Sequence, residues 1–253
     1  MTTLAGHHAV VTGGGRGIGR ATARALTHAG AVVTVMGRTA GTLIDAVDRG
    51  DASAYVVADV TDVVSVDTAM KSAAEECGPI SILVANAGAA ETAPFGKSSP
   101  DLFRRMFEVN TIGSIHAIQA VLGGMIERGF GRVVAVASTS GLKGYGYASA
   151  YCAAKHAVVG LVRALAAETT RTGVTVNAVC PTYTDTDLID VSLQRIVQTT
   201  GRSRDDALAR MLKGTPMGRL VKPEEVAAAV LFLCLPEAAA ITGTALPIAG
   251  GEI

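Results

Sequence analysis

Residues 7–19 read HHAVVTGGGRGIG, an apolar run closed by Thr12 and followed by five glycines within the seven positions Gly13 to Gly19. Ile18, Ala21, Ala25 and Leu26 then recur at roughly helical spacing, so the stretch spells a strand, a tight turn and a helix that opens near Gly17. Glycines in such a turn permit positive φ and close backbone approach, and the free N–H groups at the helix start attract a pyrophosphate. GxGxxG fits in no register, because Gly13, Gly15 and Gly17 would each need a later glycine where Ile18, Arg20 or Thr22 stands. A P-loop fails too, since Gly19 is followed by Arg20 and Ala21 rather than by Lys and Ser or Thr. What remains is Gly13-x-x-x-Gly17-x-Gly19, more glycine than a strand-to-helix turn alone requires.

Outward from the turn, short β-branched runs alternate with helix-like segments: AVVTVM at 31–36, AYVVAD at 54–59, ISILVAN at 80–86, RVVAVAS at 132–138 and VTVNAVC at 174–180. Nearly continuous apolar runs of this length read as parallel strands buried on both faces. The alternation predicts an α/β fold, a single Rossmann-type doubly wound parallel sheet with helices on both faces and a ligand crevice at the C-terminal strand ends. With 253 residues, 49% of them hydrophobic and 17% charged, the chain has material for one sizeable core, so residues 1–253 are expected to form one domain. Residues 183–222 are polar, strand-poor and interrupted by Gly201, Gly214, Pro216 and Gly218, and are expected to form a substrate lid.

Charge and composition exclude several functions. Twenty-two Lys and Arg balance 22 Asp and Glu, leaving no bulk field to draw in nucleic acid or anionic lipid. The longest apolar run, Val226 to Leu235, is about half the length a bilayer needs, and no signal segment opens the chain, so a cytoplasmic protein without a membrane span is expected. Cys77, Cys152, Cys180 and Cys234 match no zinc or CxxC spacing, and the five histidines form no HExxH, so no metal is expected. Cys152 and His156, an i,i+4 pair, lack a third group to orient a thiolate dyad and read as packing.

The glycine turn, NAG at Asn86–Gly88, VN at Val109–Asn110, a serine at 138 and YCAAK at Tyr151–Lys155 together resemble the short-chain dehydrogenase/reductase family over nearly the whole chain, Val10 to Gly251. Tyr151 and Lys155 are i and i+4, which places an ammonium beside a phenol on one helix face. The resemblance implies four catalytic residues. Tyr151 would give its proton to a carbonyl oxygen in reduction, Ser138 would polarise that carbonyl, Lys155 would lower the tyrosine pKa and bind the nicotinamide ribose, and Asn110 would hold a relaying water. Ser138 precedes Tyr151 by 151 − 138 = 13 positions, a separation similar to the family's active-site pair, and that resemblance favours it over Ser140.

The cofactor expectation rests on the end of the second strand. An acid about 20 positions past the glycines would bind the ribose 2′-hydroxyl of NAD, whereas an arginine accommodates the 2′-phosphate of NADP. Residues 33–39 hold no Asp or Glu but do hold Gly37 and Arg38, and Arg16 lies in the turn, so NADP(H) is preferred, with NAD(H) as the alternative. The resemblance adds Gly13, Gly17, Ile18 and Gly19 at the phosphates, Asp59 and Val60 at the adenine, Asn86, Ala87 and Gly88 along the ribose, and Pro181, Thr184 and Thr186 near the carboxamide. Thr182 stands where the family usually has glycine.

The substrate pocket is expected between Ala89–Phe95, Gly141–Tyr147 and the lid, with Ser140, Tyr145, Tyr147 and Tyr183 as substrate-binding residues. Five basic residues against two aspartates between 191 and 214 read as a solvated helix face, or as a receptor for the phosphates of an acyl thioester. Resemblance points to 3-oxoacyl thioester reductases and carbonyl reductases, and to a homotetramer whose contacts Val226–Leu235 and the ending ALPIAGGEI would suit. A catalytically silent NADP(H)-binding sensor on the same scaffold is the alternative function.

Overall fold

A computed structural model of the chain describes residues 4–253. Its first half alternates β1 (His8–Thr12), α1 (Gly17–His28), β2 (Val32–Gly37), α2 (Ala40–Asp48), β3 (Ala54–Val57), α3 (Val63–Cys77) and β4 (Ile80–Ala85). There follow α4 (Pro100–Phe107), α5 (Gly113–Glu127), β5 (Gly131–Val136), α6 (Ser149–Thr169), β6 (Val174–Pro181), α7 (Asp187–Thr200), α8 (Arg204–Leu212), α9 (Pro223–Cys234) and β7 (Ala245–Ile248). Among the described residues, seven strands form one sheet in the order β3-β2-β1-β4-β5-β6-β7, and every neighbouring pair is parallel. The strand order reverses between β1 and β4, which opens the crevice beyond their C-terminal ends.

Successive side chains leave a strand on opposite faces, and the sequence fills both. Val10, Leu83, Val133, Ala135, Val176 and Ala178 point toward α3, α5 and α6. Their neighbours Ala9, Val11, Ile82, Val84, Val134, Val136 and Val179 point toward α1, α2 and α9. Each fully buried valine contributes about 1.5–3 kcal/mol relative to exposure, so the two cores fix the register of the strand ends that carry the site. The apolar runs predict only six of the seven strands, because ALPI at β7 is four residues long, half-exposed and interrupted by Pro247, which an edge strand tolerates.

That ending supplies an edge strand to the sheet. Val226, Val230, Leu233 and Cys234 of α9 are buried in the core, while Phe232 of the same helix is 46% exposed. Among the described residues, two stretches, Pro100–Glu127 and Ser149–Thr169, are long and apolar enough to cross a bilayer by length and composition. Ala117, Ile118, Val121 and Met125 of the first and Val158, Val159, Val162 and Ala166 of the second are core residues against the sheet. All four cysteines are free thiols.

Candidate active site

The glycine turn closes on itself so tightly that side chains are excluded. A Cβ on Gly19 would lie 2.2 Å from the Gly13 carbonyl oxygen, and Gly17 opens α1 at φ +54°. Arg16 occupies the N-cap without a side-chain cap bond, so the first-turn donors of α1 face the crevice uncapped, as an anion requires. Asn86, at the end of β4, staples the turn: its Nδ2 donates to the carbonyls of Thr12 at 2.9 Å and Gly13 at 3.2 Å. Thr12 Oγ1 returns the link by accepting from the N–H groups of Asn86 and Ala87, each at 3.0 Å. These backbone-fitted glycines fit a dinucleotide pyrophosphate. Ile18 packs into the core beneath them.

Arg38 directly follows β2 and is 74% exposed, with Nη1 3.9 Å from Asp59 Oδ2. Asp59 accepts from the Thr61 N–H at 3.0 Å and its hydroxyl at 2.8 Å; the backbone bond foremost, with the hydroxyl and Arg38, holds its carboxyl below the usual range. Val60 packs against Gly113 and takes a bond from His116 Nδ1 at 3.0 Å. On the other side, Thr186 Cγ2 lies 3.1 Å from the position of a Cβ on Gly17, which sets it against the turn. Thr184 forms an isolated bridge with Val221, and the Val221 N–H donates to the Tyr183 carbonyl at 2.9 Å. The segment from α7 through α8 thus leaves and rejoins the fold at one point, and Arg16 meets Asp187 of α7 at 3.5 Å.

Tyr151 and Lys155 lie on one face of α6, with Lys155 Nζ 5.8 Å from the tyrosine ring centroid. Lys155 is 4% exposed and donates to the Val136 carbonyl at 2.8 Å, which anchors it beneath the end of β5. Burial lowers its ammonium to about 8. Burial also pushes the Tyr151 phenol up to about 12, against a hydrogen bond with Ser138 that favours ionisation, so the lowering expected from Lys155 is not found: desolvation dominates at this phenol. Ser138 accepts from the Ser140 N–H at 3.1 Å and donates to the Pro181 carbonyl at 3.4 Å, so Ser140 contributes its backbone here.

Asn110 enters from a single wide π-turn, Glu108–Ile112, that joins α4 to α5. Its Nδ2 donates to the carbonyls of Ala89 and Met106, both at 2.9 Å, and its Oδ1 accepts from the Ala89 N–H at 3.3 Å. A Cβ on Gly88 would sit 2.7 Å from Asn110 Oδ1 and 3.6 Å from Lys155 Nζ, so the two residues approach one spot. Ser138, Tyr151, Lys155 and Asn110 are therefore gathered at the C-terminal ends of β4 and β5, beside the glycine turn.

Residues 7–195 match the family described as short chain dehydrogenase. The chain belongs to the short chain dehydrogenase family. It is 37% identical to a putative ketoacyl reductase of Streptomyces coelicolor over 257 residues, covering 99% of this chain and 98% of that one. A 3-oxoacyl-(acyl-carrier-protein) reductase of Vibrio harveyi is 36% identical over 249 residues, with 98% of each covered. The crystal structure of a single-substitution variant of the actinorhodin polyketide ketoreductase with NADPH superimposes with a TM-score of 0.94 at 36% identity, covering 100% of this chain and 99% of that one. The chain is thus an oxidoreductase of the short chain dehydrogenase family, acting on CH–OH and C=O groups.

The expected substrate tyrosines differ among themselves. Tyr147 is 71% exposed, sits at φ +66°, which is unfavourable for a side chain of its size, and accepts at its carbonyl from the Ala93 N–H at 2.8 Å. Tyr145 and Tyr183 meet edge to face with ring centroids 6.3 Å apart. The Tyr145 hydroxyl, however, is engaged by Glu252 at 2.6 Å and lies 2.7 Å from Thr139 Oγ1. No motif in the sequence singles out Glu252, which lies within the ending ALPIAGGEI. In the α7–α8 segment, Arg204 pairs with Asp190 at 2.6 Å and Arg195 donates to the Thr92 carbonyl at 3.4 Å, so part of the basic excess is spent within the protein.

Proposed function

We propose that the protein is an NADP(H)-dependent reductase of hydrophobic ketones or 3-oxoacyl thioesters. The observation that carries this reading is the convergence of Ser138, Tyr151 and Lys155 on a crevice whose adenosine end presents Arg38 and no acid among residues 33–39 at the end of β2. The names of the two reductase relatives and the NADPH in the ketoreductase crystal support it. Bound along the glycine turn, the nicotinamide cofactor would supply the hydride. A substrate oxygen set between the Ser138 and Tyr151 hydroxyls accepts a hydrogen bond from each, which stabilises the charge that develops on it. The raised phenol pKa keeps Tyr151 protonated through neutrality, the state an acid needs in reduction. As the proton leaves, the Lys155 ammonium faces the new phenolate and offsets its charge.

A panel of ketones and 3-oxoacyl thioesters, followed by NADPH absorbance, tests this reading. Turnover with at least one class is expected. Binding of NADPH without its oxidation by any carbonyl would instead support the sensor alternative.

Arg38 decides the cofactor because the 2′-phosphate alone distinguishes NADPH from NADH. Arg38→Leu is expected to weaken NADPH binding by about 1–3 kcal/mol, the scale of a charge-assisted hydrogen bond, with little change for NADH. Combining it with Gly37→Asp should favour NADH, by adding a ribose contact and repelling the phosphate. Comparing kcat/KM for both cofactors checks this, and a wild type that already prefers NADH would overturn it.

A further inference from the structure

Glu252 is buried beside the site although no step described above uses it: its side chain is 4% exposed. Oε1 accepts from the Tyr145 hydroxyl at 2.6 Å and pairs with Lys143 Nζ at 3.0 Å, while Oε2 accepts from the Thr182 hydroxyl. Burial by itself would raise this acid, but the bonds from Thr182, Tyr145 and Lys143 outweigh it and hold the carboxyl below its ordinary range. Three donors on one acceptor-only group make a fixed point rather than a solvated tail.

Both arms of this fixed point lead to Ser138. The Tyr145 hydroxyl lies 2.7 Å from the Thr139 hydroxyl, in the tight turn Thr139–Gly141 that follows Ser138. Thr182 follows Pro181, whose carbonyl accepts from Ser138 Oγ at 3.4 Å. One carboxylate therefore ties together the two backbone segments that hold Ser138, and it orients the Tyr145 ring against Tyr183.

We propose that Glu252 is a positioning residue for carbonyl reduction, holding Ser138 and the Tyr145–Tyr183 wall through Thr139 and Thr182. It touches no reacting atom and acts through these neighbours. The inference rests on the carbonyl reductase reading given above.

The test compares wild type, E252A, E252Q, T182V and the E252A/T182V double variant. The readouts are kcat and KM for a ketone that the wild type reduces, the Kd for NADPH, and the melting temperature. E252A is expected to lower kcat by about 10- to 100-fold, the cost of a small misplacement at a reacting centre, with NADPH affinity unchanged and the protein still folded at the assay temperature although its melting temperature falls. E252Q keeps the shape and one accepting oxygen, so it should lose less, and it carries the test if E252A does not fold. T182V should lose part of the rate, and the double variant no more than E252A alone, because both remove the same link. Unchanged kcat in E252A and E252Q would overturn the proposal, as would a loss of rate that merely follows unfolding at the assay temperature or a loss of cofactor affinity. A wild type that reduces no carbonyl would overturn the reductase reading and this inference with it, whereas an active wild type with unaffected variants would overturn this inference alone.

Discussion

Replacing Tyr151 with phenylalanine is expected to lower kcat for ketone reduction by about 10²–10⁴-fold, the usual contribution of a positioned general acid. The ring remains packed at the start of α6 and only the hydroxyl is lost, so NADPH should still bind. Ser138 would keep its bonds to Ser140 and Pro181 but lose its partner on the far side of the substrate oxygen. Single-turnover measurements at saturating NADPH separate the chemical step from binding. Turnover within tenfold of wild type would remove Tyr151 from the role of acid.

Lys155→Ala should act on two readouts at once. The same ammonium is asked to offset the phenolate and to hold the ribose hydroxyls, so kcat should fall by about 10²-fold or more and NADPH should bind more weakly. The pH dependence gives an independent check. Because burial lowers Lys155 to about 8, its charge is present below that pH and lost as the pH rises through it, while Tyr151, raised to about 12, stays protonated over the same range. Wild-type kcat/KM for reduction should therefore decline above about pH 8, and the residual activity of Lys155→Ala should lack that limb. Normal NADPH affinity in the variant would leave Lys155 only its electrostatic role.

The residues whose spacing carries a physical consequence were readable in the sequence. Apolar runs such as ISILVA must be buried on both faces, and β4 is buried throughout. Tyr151 and Lys155 needed only a helix to bring them together. The glycine turn declared its excluded side chains, although not that Thr12 and Asn86 would lock it from two strands. Where sequence reasoning stopped, the contacts depend on tertiary approach. ALPI is too short to signal a strand, and the π-turn that aims Asn110 has no period of its own. Residues 183–222 read as polar and strand-poor with a solvated helix face, and they hold α7 and α8; what the sequence did not show is that Gly201, in the left-handed conformation, ends α7. Glu252 meets Tyr145 from 107 positions away, and nothing local foretells that such an acid will be buried.

The central claim, that this crevice transfers hydride to a carbonyl, is tested most directly by NADPH deuterated at the transferable C4 position. The protein is incubated with that cofactor and a ketone or 3-oxoacyl thioester, and the product is examined by mass spectrometry. The account predicts an alcohol carrying one deuterium on the carbinol carbon, formed in step with NADPH oxidation and nearly abolished in Tyr151→Phe. Alcohol without the label, or NADPH bound and left unoxidised in the presence of every carbonyl offered, would contradict it.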